Sequence, residues 1–294
     1  MENGRFGPIE TNDKPKKTYR VDYNRLITFA MILVIVVLGV FIWMDAKKEP
    51  KESANFPLDN TLSSGSPNTN IGNNPDPVLS PEELRPLPEE EGMLPIFRIA
   101  NTNEKKVAIV VDSFEKTEYL ETLIGLCGTF SAKVTLFPTG NELLMDPSVW
   151  ATAAFAGHEI ENHTMDNTRM STLMDEDKVK LIDDQTAVVR MVIGEGYTPH
   201  FLTTSNLEDD DDLFLHSWLA GSNYMGIVRW DENMPKSFDL VRPGAILRYP
   251  LTEAGLKSLS QAIPVLAENG YQMVTVNELF AYPDNFGDTA DTAG

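Results

Sequence analysis

The chain has 294 residues, with 44 acidic and 24 basic side chains, for a formal charge of −20. So anionic a surface excludes nucleic acid as a partner, since no basic stripe offers the polyanion a place to dock. A single cysteine, Cys127, excludes an intrachain disulfide, while 42 % hydrophobic residues suffice for a core.

Residues 1–25 form a short tail with six basic and four acidic groups, which leaves −22 for the rest of the chain. Residues 26–44 then run without a charge from Leu26 to Met44. As a helix rising ~1.5 Å per residue, such a run nearly spans the ~30 Å of bilayer hydrocarbon, so it predicts one transmembrane helix. A cleavable signal peptide would have a shorter apolar core and small residues at its end, whereas this one ends in Phe41, Ile42, Trp43 and Met44. Lys14, Lys16, Lys17, Arg20 and Arg25 precede the run against Lys47, Lys48 and Lys51 after it. That bias places the N-terminus in the cytoplasm and the acidic bulk outside, at a cell membrane.

Residues 45–95 contain nine of the 19 prolines among Asn, Ser, Gly and Glu, and no apolar period survives there. The composition predicts a disordered or polyproline-like stalk. From residue 96 to 283 strand-like and helix-length segments alternate. Val107–Val111, Val134–Phe137, Met225–Trp230, Ala245–Leu247 and Met273–Val276 read as strands; Lys116–Cys127, Asn141–Ala156, Val179–Ile193 and Thr252–Glu268 read as helices. This order argues an α/β domain with parallel strands. Residues 284–294 read as a frayed acidic tail. Glu208 to Asp212 precede an apolar helix and suit its first turn, since a calcium loop needs a spacing that is absent. Cys127, on the apolar face of its helix, reads as core.

Several segments carry a resemblance: VAIVVDSF from Val107, TLFPTG from Thr135, GHEIENHT from Gly157, and GYQMVTV from Gly270. Together they resemble the polysaccharide deacetylases, the NodB-homology family also called carbohydrate esterase family four. The resemblance implies a distorted (β/α) barrel with its site at the C-terminal ends of the strands. It also implies a metal-dependent hydrolysis of N-acetyl groups, in which a divalent ion activates water and holds the oxyanion. On that pattern Asp112 stands at the position of the base and His163, followed by Thr164, at that of a metal ligand. The other two ligand positions hold Ser113 and Asn167. Leu202 stands where an arginine would orient the base, Trp230 and Asp231 fall on a further motif, and Arg248, Tyr249 and Pro250 stand where a late histidine would protonate the leaving amine.

One imidazole beside a serine and an amide should not retain a zinc-like ion. No cofactor is therefore expected, unless Asp166 re-aims to join Asp112 and His163 around a divalent metal such as zinc. Without partners, Asp112 reads as a turn cap and His163 as a satisfied buried histidine. Tyr249 is the one residue near the late position that could donate a proton. Three functions stay open: a degenerate envelope protein that binds polysaccharide, an active carbon–nitrogen hydrolase with a rearranged site, and a stalked module that meets a protein partner.

Overall fold

The computed structural model describes residues 79–286, apart from Lys236 and Asp239. The transmembrane helix expected at 26–44 and the stalk expected up to residue 78 lie outside the described residues. Among those described, no helix is long and apolar enough to cross a membrane.

The fold is α/β, with two parallel sheets. Strand β2 (Lys106–Val111) is central to the larger one, in which β4 (Glu159–Ile160), β3 (Val134–Leu136), β2, β8 (Ile246–Arg248) and β7 (Glu232–Asn233) follow in order, with β9 (Gln272–Val274) also paired to β2. The smaller sheet runs β1 (Ile96–Phe97), β6 (Gly226–Val228), β5 (Phe201–Leu202), and a parallel bridge between Asn162 and Leu202 links it to the end of β4. The contact of β1 with β6 is intimate. A Cβ on Gly226 would lie 2.2 Å from the Pro95 carbonyl oxygen, so only glycine fits there.

Alternation along the strands divides the core in two. Val107, Ile109 and Val111 pack with Leu247 and Met273 against helices α2 (Thr117–Thr129) and α7 (Glu253–Glu268), through Leu120, Leu123, Leu259 and Ile263. Ala108 and Val110 face the opposite way, with Ile246 and Val274, toward Phe97, Phe201 and Val228 of the smaller sheet. Each residue past a strand end inherits one of these two directions, which decides what can reach the site. Cys127 is buried in the helix-facing layer, where desolvation pushes its thiol up to about 12, so it is packing.

Several expectations change. The single helix expected over 141–156 is two, α3 (Gly140–Met145) and α4 (Pro147–Phe155), because Pro147 lacks an N–H and forces Asp146 out of helical geometry. Helix α5 (Asp175–Ile193) begins four residues before the expected Val179, with Asp175, Glu176 and Asp177 favourably placed in its first turn. The acids before the next helix, α6 (Leu213–Gly221), lie in a preceding 3-10 turn (Leu207–Asp211), and only Asp212 serves the helix, accepting from Leu215 N at 3.1 Å. Strand β9 stops at Val274 because Thr275 caps a short helix α8 (Val276–Leu279).

Both ends of the domain extend further than the composition indicates. Residues 79–95 were expected to be stalk, yet they begin a turn of helix, α1 (Pro81–Leu84), and lie on the domain. Arg85 donates to the Phe280 and Ala281 carbonyls at 3.0 and 2.6 Å and stacks on Tyr282. At the other end residues 284–286, which the composition assigns to the tail, are described with the domain. Asn285 is buried and donates to Glu161 Oε1 at 2.7 Å and to the Thr198 carbonyl at 2.9 Å. That polar lock is invisible in a run of Asp, Asn and Gly.

Candidate functional site

At the C-terminal ends of β2 and β8 a cleft of about 380 Å³ is lined by Asp112, Ser113, Glu142, His163, Asn167, Thr204, Ser205, Trp230 and Arg248. Strand alternation explains why these side chains meet. Asp112 continues the Ala108 and Val110 direction, Arg248 that of Ile246, and Trp230 that of Val228, so all three point between the sheets. Tyr249 takes the other direction. It lies with Leu247 in the helix-facing core, fully buried, its hydroxyl unpartnered and its pKa raised by desolvation. Tyr249 is therefore no proton donor to this cleft, and the residue that faces the cleft from the late-histidine region is Arg248.

Asp112 is not a turn cap. Its Oδ2 accepts from Arg248 Nε at 2.7 Å, with the Asp112 side chain only 8 % exposed. The guanidinium lies over the Trp230 ring at 4.7 Å and donates to Asn233 Oδ1 at 3.3 Å. Register places the pair, since β2 and β8 run parallel with Val110 opposite Arg248. Nor is His163 satisfied: its Nδ1 is buried without a hydrogen-bond partner among the described residues, as is Asp112 Oδ1. Burial pushes the imidazole below its ordinary pKa; the Asp112 charge opposes this, while Arg229 and Arg248 reinforce it. Burial thus favours the neutral form of His163.

The turn after His163 is held firmly. Thr164 sits at a φ of 64°, stabilised by its N–H to Asn162 Oδ1 at 2.7 Å and by its hydroxyl to the Asp166 carbonyl at 2.5 Å. Gly140 N and Asn141 N donate to the carbonyls of Thr164 and Met165, both at 3.0 Å. Asn167 is exposed beyond this turn, with Ser205 Oγ 3.5 Å from its Oδ1. Asp166 accepts locally from Thr168 N at 2.8 Å and does not line the cleft. The re-aimed set of Asp112, His163 and Asp166 is not assembled: among the described residues no three of His, Cys, Asp and Glu could hold a metal ion together. The donors present do not fit the divalent ion the resemblance implies.

Leu202 is buried in β5, and the loop after it is organised from elsewhere. Arg229, at 1 % exposure, reaches from the end of β6 to Thr203 Oγ1 and Thr204 Oγ1, both at 2.9 Å, and to the Asn206 carbonyl at 3.1 Å. Its charge is met by Asp210 Oδ1. This buried pair fixes the Thr204–Ser205 edge of the cleft. Asp231 faces away and pairs with Arg242, and Pro250 follows Tyr249 outside the cleft lining. Sequence reasoning missed Glu142, Thr204 and Ser205 as lining residues. Glu142 completes a capping box with Thr139, and burial raises its carboxyl pKa. The box, Thr139 with Glu142 three residues on, was the available signal.

Residues 99–219 match the family described as polysaccharide deacetylase. Over 196 residues the chain is 28 % identical to a peptidoglycan-N-acetylglucosamine deacetylase of Bacillus cereus, covering 61 % of this chain and 90 % of that protein. Its fold is similar to a crystal structure of a peptidoglycan N-acetylglucosamine deacetylase, with a TM-score of 0.57 at 19 % identity over 65 % of this chain and 94 % of the other. It is also similar to a carbohydrate esterase family four pseudoenzyme from Bacillus anthracis, with a TM-score of 0.55 at 18 % identity over 63 % of this chain and 68 % of that one.

Proposed function

Residues 99–219 belong to the polysaccharide deacetylase family, and from that premise we propose that the domain binds an envelope polysaccharide without hydrolysing it. One observation carries this reading: the cleft keeps Asp112 and His163, each with an unpartnered buried polar atom, yet holds no set of metal ligands. The exposed Ser113, Asn167 and Ser205 on the cleft wall offer hydroxyl and amide groups with which the hydroxyls of a sugar would pair. Trp230, half-buried on the cleft wall, adds an apolar face of the kind sugar rings pack on. Hydrolysis is another matter. With Ser113 and Asn167 at the ligand positions and a permanently charged Arg248 at the proton-donor position, nothing activates water or protonates a leaving amine.

The test uses the purified full chain. Acetylated amino-sugar oligomers should be retained, and Trp230→Ala should weaken retention by about tenfold, with no acetate released in the presence of Zn²⁺ or Co²⁺. Chelator-sensitive acetate release, lost again in Asp112→Asn, would restore the hydrolase reading. Absence of retention on any glycan would favour the protein-partner module.

For location we propose a single-pass anchor at residues 26–44, with the N-terminus cytoplasmic, a stalk, and a barrel-like domain outside the cell membrane. Support comes from the uncharged run and the basic residues before it. Protease added to intact cells should release a soluble fragment of about 200 residues; a domain protected until lysis reverses the orientation.

A further inference from the structure

We propose that the Arg248 guanidinium is the resident cation of the cleft, standing against Asp112 and weakening the hold on divalent ions even where ligands for them are supplied. This rests on the metal-free reading above and names what enforces it. Serine and asparagine at the ligand positions 113 and 167 explain why an ion would be held weakly. It does not explain why the remaining acid is already neutralised.

The geometry does. Arg248 approaches Asp112 at 2.7 Å through Nε, and the Asp112 side chain is 8 % exposed, so solvent screens the contact little. The guanidinium is fixed on three sides, by Asp112, by the Trp230 face at 4.7 Å and by Asn233 at 3.3 Å. A side chain so held does not swing away for an ion. Arginine stays protonated at any pH the fold survives, so the charge cannot be titrated off either. Strand register makes the arrangement intrinsic to the fold: Val110 pairs with Arg248, and both strands continue in the direction that faces the cleft. An incoming dication would meet this fixed positive charge within the same cleft, and the repulsion at short range and low exposure is large enough to offset a ligand.

Zinc calorimetry on five full-length chains decides the matter: wild type, Arg248→Gln, Ser113→Asp with Asn167→His, and that pair combined with either Arg248→Gln or Arg248→Lys. Glutamine keeps a hydrogen bond to Asp112 without the charge and so spares the fold, which circular dichroism checks; lysine keeps the charge without the fork. The expected result is that Arg248→Gln tightens zinc binding of the ligand-restored chain by about tenfold or more, while Arg248→Lys leaves it unchanged. Equal affinity with arginine and with glutamine overturns the proposal and leaves the metal-free reading of the wild type intact. Tight zinc binding by the wild type itself overturns both. Failure of every variant to bind zinc also overturns it, because removing the charge would then have opened nothing.

Discussion

Ser113→Asp together with Asn167→His is expected to bring one zinc ion per chain into the cleft, with acetate release staying at background. The pair adds a carboxylate directly after Asp112 and an imidazole four residues after His163, which gives three protein ligands of the types zinc takes. Whether they converge depends on the backbone of the 164–167 turn. That turn is fixed by the left-handed Thr164, by its hydrogen bonds to Asn162 and Asp166, and by the N-terminus of α3 at Gly140 and Asn141. A Cβ at Gly140 would lie 2.2 Å from the Met165 sulfur, so the contact between helix and turn has no slack. The new side chains therefore start from a held scaffold. Binding against the Arg248 charge should be in the micromolar range, about 8 kcal/mol, and calorimetric stoichiometry reads it directly.

Catalysis should not follow, because a general acid or base is commonly worth ~10² to 10⁴ in rate and neither is rebuilt. Arg248 cannot give up a proton, and Tyr249 faces the helix layer. If the double variant binds no ion even with Arg248→Gln added, the assignment of Ser113 and Asn167 to ligand positions is wrong. The fold would be unaffected by that outcome.

How much of this was legible before the structure follows from the length of each signal. Val107–Val111 and Val134–Phe137 carry enough β-branched residues to announce strands, and the helix of Thr252–Glu268 has a clear apolar face. The two-residue strands Ile96–Phe97, Glu159–Ile160 and Phe201–Leu202 are shorter than one full alternation, so no period can reveal them. At the site, Asp112, Ser113, His163 and Asn167 could be located because motifs are local. Their partners could not, since Arg248 lies 136 residues from Asp112 and its role depends on which face of β8 it takes. A shift of one residue exchanges Arg248 and Tyr249 between cleft and core, which is why the tyrosine drew attention in the sequence and the arginine matters in the fold. Arg229 was hidden for the same reason: its partners Thr203, Thr204 and Asp210 come from a different strand end.

Glu159→Gln is expected to reduce a fall in thermal stability that the wild type shows as pH rises above 4.5. Glu159 and Glu161 are both buried between the sheets and α8, close enough to share a hydrogen bond. Glu159 Oε2 accepts from Thr135 Oγ1 at 2.6 Å and Val276 N at 2.8 Å; Glu161 accepts from His200 N, Phe201 N and Asn285 Nδ2. The one oxygen without a donor is Glu159 Oε1, so a proton held by Glu161 and donated to it completes the network. Burial raises both carboxyls, and the charge of Glu159 drives Glu161 further up. An acid whose folded pKa is raised stabilises fully below its unfolded value, here 4.5, and loses that contribution as pH climbs through the folded value.

Two histidines oppose this at low pH. His158 is pushed down to about 4 and His163 is also lowered, both chiefly by burial, so they destabilise the fold only as pH drops below 6.5. Above 6.5 they are silent. Glutamine at 159 places an N–H where the shared proton was and keeps the acceptor for Thr135 and Val276, so the loss of melting temperature with rising pH should shrink. In the wild type the loss should appear as about 3 °C of melting temperature for each kcal/mol. A slope that persists unchanged in Glu159→Gln would mean that the pair carries no proton in the folded chain, and that the orphaned Oε1 is satisfied by something other than its neighbour.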